Sequence, residues 1–238
     1  GRLDALEKWV RALTQIEVWR LVDPNLRGGG VMTGNRLMDA IATNVGDPLI
    51  ERLGLGFAAV ATDLHTGEEV WIREGPVMAA VRASSGVPGL FTPSWYLDRW
   101  LIDGGVVNPL PVSVCRALGA DLVIAVDLSR SVTHGDPEVL RRSQPSLLES
   151  MAGAVNIMQD SITRSRLVID PADLVLRPDL QSFQLMDFHR AAEAIDIGYR
   201  HVAENEARLE PILALLRTPG GPAQNLRGGR SDLPAALE

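Results

Sequence analysis

The chain has 238 residues, 46% of them hydrophobic and 22% charged, which suits one large domain and is enough to bury a sizeable core. Its net charge of −7 excludes the electrostatic footprint of a nucleic-acid binder and any polybasic attraction to anionic lipid. A single cysteine, Cys115, excludes a disulfide framework and points to a reducing compartment, and no apolar run is long enough for a membrane-spanning helix. These features read as a cytoplasmic protein in which any peripheral membrane contact is made through apolar surface.

The chain opens without Met and already inside a helical pattern, with Leu3, Leu6, Trp9, Val10 and Leu13 at helical spacing. DPNLRGGGVMTG reads as loop and GNRLMDAIATNV as a second helix. FAAVATDL (57–64) and EEVWIRE (68–74) read as strands joined by a turn at His65-Thr66-Gly67. PVMAAVRASS is a short helix opened by Pro76, followed by the loop GVPGLFTP and a hairpin in WYLDRWLI that ends at Asp103.

PLPVSVCRALG is helical again and stops at Gly119, with Cys115 expected as a small buried hydrophobe. DLVIAVDL (121–128) is a continuous apolar run, the pattern of a strand covered on both faces. Residues 138–168 read as a long helical region broken near Pro145. ADLVLRPD follows as a strand, and one long closing helix as far as LALL takes Asp187 as its N-cap. Buried strands alternating with helices argue an α/β domain over residues 1–216, and the Gly/Pro-rich residues 217–238 read as a disordered tail.

Several motifs invite a function and fail on context. Gly28-Gly29-Gly30 has no strand leading into it and no Lys-Ser/Thr after it, so it does not match a phosphate loop, and DLVIAVDL carries no dinucleotide fingerprint. Ser84 and Ser85 follow a helix and precede a loop, the reverse of the strand–turn–helix that a nucleophile elbow needs. The histidines His65, His134, His189 and His201 assemble no triad, and no metal-ligand spacing occurs. One carboxylate remains: in RWLIDGGVVNPLPV (99–112), Asp103 closes a strand, two glycines follow, and nothing basic lies after it. A strand-end carboxylate in an apolar surround is placed like a proton acceptor, its pKa raised by withheld water.

AVRASSGVPGLFTP, LIDGGVVNPLPV and RALGADLVIAVDL, in that order and at those gaps, together with FAAVATDLHTGEEVWIREG and LMDFHRAAEAIDIGY, resemble the patatin-like phospholipase family. The likeness is to its bacterial branch, related to neuropathy-target-esterase-type hydrolases. The resemblance implies a three-layer α/β/α fold with a mostly parallel sheet, and a Ser-Asp dyad that hydrolyses lipid or other carboxylic esters without histidine or cofactor. Asp103 falls on the family's catalytic aspartate, with Asp103-Gly104-Gly105 as its Asp-Gly-Gly motif. Ser84, Ser85, Pro88 and Asn108 are expected to line the pocket. The family's Gly-x-Ser-x-Gly elbow and oxyanion loop belong upstream of residue 1, so the resemblance implies a domain lacking its first strands, inactive alone and prone to self-association. A non-catalytic, partner-binding patatin-like protein is the alternative.

Overall fold

The computed structural model describes residues 2–25, 28–129, 147–183 and 186–217. Helices α1 (Arg2–Arg11) and α2 (Gln15–Leu21) open the chain. Thr14 separates them: Glu17 N–H donates to its hydroxyl at 3.3 Å, and its own N–H donates to the Glu17 carboxylate at 2.7 Å. This capping box satisfies two orphan N–H groups and starts a helix that the apolar spacing did not announce. Strand β1 (Gly30–Met32), helix α3 (Asn35–Val45), strands β2 (Ala59–Asp63) and β3 (Glu69–Ile72), and helix α4 (Val77–Ser84) come next. Strands β4 (Gly89–Phe91), β5 (Ser94–Tyr96) and β6 (Arg99–Asp103) lead to helix α5 (Val112–Ala117) and strand β7 (Ile124–Val126). Helix α6 (Leu147–Ile169), strand β8 (Leu174–Leu176), and helices α7 (Ala191–Glu204) and α8 (Glu206–Arg217) complete the described fold. The expected break near Pro145 lies outside the described residues, as does the expected tail 217–238 apart from Arg217, which ends α8.

The α/β class holds. Parallel pairing joins β1 to β4 and β7 to β8, while the four-stranded sheet, in the order β3-β2-β6-β5, is antiparallel throughout. Tight turns link β2 to β3 and β5 to β6, and the two hairpins, separated in the chain by α4 and β4, pair through β2 and β6. The His65-Thr66-Gly67 turn is held by Asp63, whose Oδ1 accepts the N–H groups of His65 and Thr66 at 2.8 and 3.1 Å. One face of this sheet packs Ala59, Ala61, Ile72 and Leu101 against Ala80 and Ala83 of α4. The small residues let the helix backbone come close to the sheet.

Five expectations are corrected. GGGVMTG and GVPGLFTP are not wholly loop, because Gly30–Met32 and Gly89–Phe91 pair as parallel strands. A side chain at Gly30 would stand 2.4 Å from the Phe91 carbonyl carbon, so glycine permits the approach. The buried Arg82 then ties both strand ends together, donating to the Thr33 and Thr92 carbonyls at 2.6 and 2.7 Å. The apolar run around β7 is covered on one side only: Ala125 is buried, whereas Ile124 and Val126 are 40% and 51% exposed. Cys115 is exposed, since a six-residue helix turns Val112 and Val114 inward and carries Cys115 round to the outside. The long closing helix is two helices, because the Asn205 side chain donates to the His201 carbonyl at 2.8 Å and competes with the helical ladder. Asp187 does precede the first turn, a 3-10 turn Phe188–Arg190, but its side chain makes no cap bond.

Candidate active site

β6 ends at Asp103 with the backbone fixed on both sides. Its N–H donates to the Gly86 carbonyl at 3.1 Å, and its carbonyl accepts from the Thr62 hydroxyl at 2.8 Å. The chain then folds into a 3-10 turn, Gly104–Val106, capped by Asp103, whose Oδ1 accepts the Gly105 N–H at 2.6 Å. Each glycine has a spatial reason. A Cβ at Gly104 would lie 2.1 Å from the Val60 carbonyl oxygen, and one at Gly105 would lie 2.3 Å from Gln159 Nε2 and 2.8 Å from Asp103 Oδ1. The two glycines therefore let the turn sit directly on β2 and beneath α6, which holds the carboxylate in place.

Asn108 closes this turn. Its N–H donates to the Gly104 carbonyl at 2.8 Å, and its buried side chain donates to Glu69 Oε1 at 2.8 Å and lies 3.3 Å from Ser113 Oγ. Glu69 also accepts from Trp71 Nε1 and Arg166, so β3, α6 and the Asp103 loop meet at one carboxylate.

Asp103 faces a cleft of about 550 Å³, lined also by Ser84, Ser85, Asn108, Asn156 and Gln159. Pro88 lies outside that lining, as does Gly28-Gly29-Gly30. Ser84 ends α4 and Ser85 caps it, so both come near Asp103 through Gly86. Neither bonds its carboxylate: among the described residues the Gly105 N–H is the only hydrogen bond that the carboxylate receives. No histidine lines the cleft among the described residues; His65 sits in its turn, His189 in the 3-10 turn, and His201 on α7, where it accepts the Arg177 N–H, while His134 lies outside them. No cluster of metal-ligating side chains occurs among the described residues.

Sequence reasoning missed a second carboxylate. Asp127, just past β7, is buried and lines the same cleft with Ser129. Its Oδ1 accepts the Ser129 hydroxyl at 2.5 Å and the Ser129 N–H at 3.0 Å, and its Oδ2 accepts Arg177 Nε at 3.0 Å. The signal was present, an aspartate at the end of the apolar run DLVIAVDL, but its arginine lies 50 residues further on. The two acids differ in capacity. Both Asp127 oxygens already accept hydrogen bonds, one of them from a guanidinium. Burial pushes the Asp103 carboxyl above its ordinary range, opposed by the Gly105 N–H and by no charged neighbour. A carboxylate so placed is suited to take a proton from a hydroxyl presented to the cleft.

Residues 2–116 match the model of the patatin-like phospholipase family. An uncharacterized NTE family protein of Mycobacterium tuberculosis is 42% identical over 131 residues, covering 55% of this chain and 36% of that protein. A second from the same organism is 30% identical over 200 residues, covering 76% and 33%. A lysophospholipase of Pyricularia oryzae is 25% identical over 207 residues, covering 79% and 14%. The chain thus spans about a third of the length of the mycobacterial relatives. The match and these relatives agree with the strand-end aspartate and its glycine turn: the chain belongs to the patatin-like phospholipase family, on its NTE-type branch.

Proposed function

We propose that this chain supplies the base of a Ser-Asp dyad that hydrolyses lipid or other carboxylic esters. Asp103 accepts the proton of a serine hydroxyl as Oγ bonds to the ester carbonyl carbon and the carbonyl electron pair moves to oxygen. The protonated Asp103 then returns that proton to the departing alkoxide, and water repeats the sequence to release the acid. The serine and the donors for the oxyanion come from polypeptide preceding residue 1.

The observation that carries this reading is the state of Asp103: half-buried at the cleft, its pKa raised, its backbone pinned, and its carboxylate bonded only to the Gly105 N–H among the described residues. Room for an added element supports it. Val126 and Leu128 line the same cleft and are 51% and 58% exposed, and β7 pairs with β8 alone among the described strands. The non-catalytic, partner-binding reading draws on the same exposed surface and on the lack, among the described residues, of a hydroxyl bonded to Asp103.

Turnover of a short-chain nitrophenyl ester separates the two. The 238-residue chain alone gives no rate above a blank, because it carries neither nucleophile nor oxyanion donors. The protein with its preceding polypeptide is active, and Asp103→Asn lowers that activity by roughly a hundredfold or more. An inactive extended protein supports the partner-binding reading.

A further inference from the structure

Glu69 lies outside the described lining of the cleft, yet its carboxylate braces the Asp103 turn by two routes. In the first, Oε1 accepts from Asn108 Nδ2 at 2.8 Å, and the Asn108 N–H donates to the Gly104 carbonyl at 2.8 Å. The orientation of the Asn108 amide is fixed, because a carboxylate only accepts and a flipped amide would set oxygen against oxygen. In the second, Oε2 accepts from Arg166 at 3.1 Å, which anchors α6 about two helical turns beyond Gln159. Gln159 is the side chain that meets the turn, its Nε2 only 2.3 Å from where a Cβ on Gly105 would stand. Trp71 Nε1, donating to Oε1 at 2.7 Å, holds the carboxylate to its own strand. Glu69 also pairs with Thr62 across β3 and β2, and the Thr62 hydroxyl donates to the Asp103 carbonyl at 2.8 Å. One cross-strand pair therefore grips the turn at Asp103 and again at Asn108.

We propose that Glu69 is a positioning residue for Asp103, acting through Asn108 and α6 to set where the Asp103 carboxylate stands in the cleft. The inference rests on the hydrolase reading above and deepens it. The Gly105 N–H fixes the carboxylate relative to the turn and moves with the turn. Glu69 supplies what that bond cannot, a fixed place for the turn relative to β3 and α6. The distinction matters for rate, because a base acts only within hydrogen-bond reach of the hydroxyl it deprotonates. A misplacement of about 1 Å costs roughly a hundredfold.

The test follows nitrophenyl ester turnover by the protein with its preceding polypeptide. Active sites are counted by fluorophosphonate labelling run to completion, so misfolded molecules do not enter kcat. Glu69→Ala lowers kcat per counted site at least tenfold while KM moves less than threefold. Glu69→Gln, which keeps an acceptor for Asn108, is at least fivefold faster than Glu69→Ala. An isosteric cycle decides the matter where Glu69→Ala does not fold. Asn108→Asp sets two carboxylates face to face and lowers kcat at least tenfold. Adding Glu69→Gln to it restores a donor opposite an acceptor at the parent's net charge, and recovers at least fivefold. A kcat within threefold of the parent in Glu69→Ala or Asn108→Asp, or a combined variant no faster than Asn108→Asp, overturns the inference and leaves the hydrolase reading intact. A parent that turns over no ester overturns both.

Discussion

Gly104→Ala tests whether the Asp103 turn is fixed by contact with β2. Gly104 does not have left-handed backbone geometry, so alanine brings no conformational penalty and the effect is one of space alone. The new methyl would stand 2.1 Å from the Val60 carbonyl oxygen and 2.6 Å from its carbon, where real Cβ atoms essentially never come within 3.0 Å. At least about 0.9 Å of movement is needed, and the obstacle is backbone rather than a side chain. β2 is buried along its whole length and paired on both sides, with Ala61 opposite Asp103, so it yields only by disturbing two strand pairs. Overpacking of this kind costs about 1–3 kcal/mol, and contact with backbone puts the value near the top of that range. In a domain of this size about 3 kcal/mol lowers the melting temperature by roughly 6–12 °C. Gly153→Ala is the control: it lies in α6 with nothing within 4 Å of the added methyl, and alanine there gains about 0.5–1 kcal/mol of helix stability. Thermal melts followed by far-ultraviolet circular dichroism compare the three proteins. A Gly104→Ala melt within about 2 °C of the parent would refute the packing argument.

Asp103→Asn should separate stability from activity. The folded-state pKa of Asp103 lies above its unfolded value, so the stability from holding the proton is full below the unfolded pKa and is lost as pH rises through the folded pKa. Asparagine keeps an acceptor for the Gly105 N–H and does not titrate, so its melting temperature should match the parent in acid and exceed it at pH 8. A variant that is less stable than the parent at pH 8 would contradict this. In the active protein kcat/KM should rise with pH through a limb above the ordinary carboxylate range, since the base works ionised. A pH profile flat down to about pH 4 would argue against Asp103 as that base. Arg82→Met should cost about 3 kcal/mol in denaturant unfolding by stranding the Thr33 and Thr92 carbonyls, and Arg82→Lys should recover only part of it.

What was legible in the sequence was local. The β2–β3 hairpin announced itself through alternation and its His65-Thr66-Gly67 turn, and the Asp103 motif through an apolar strand, a carboxylate and two glycines in a row. Each reason lies within about ten residues of the feature. The capping box at Thr14 and Glu17 was equally local and was simply overlooked. The rest depended on distance. β1 and β4 are three residues each, too short for a period, and exist because their backbones meet across 59 positions, from Gly30 to Gly89. Asp127 became distinct from Asp103 only once Arg177 arrived from beyond β8. The same limit hid why the glycines are there: Gly104 answers to Val60 and Gly105 to Gln159, contacts that no local pattern contains.

The central claim is that Asp103 activates a serine lying outside these 238 residues. A fluorophosphonate probe, which bonds covalently to an activated serine, tests it directly when the labelled peptide is located by mass spectrometry. In the protein with its preceding polypeptide, the adduct should sit on a serine upstream of residue 1, and Asp103→Asn should slow labelling by roughly a hundredfold. An adduct on Ser84, Ser85 or Ser129, or labelling at an undiminished rate in Asp103→Asn, would contradict the account.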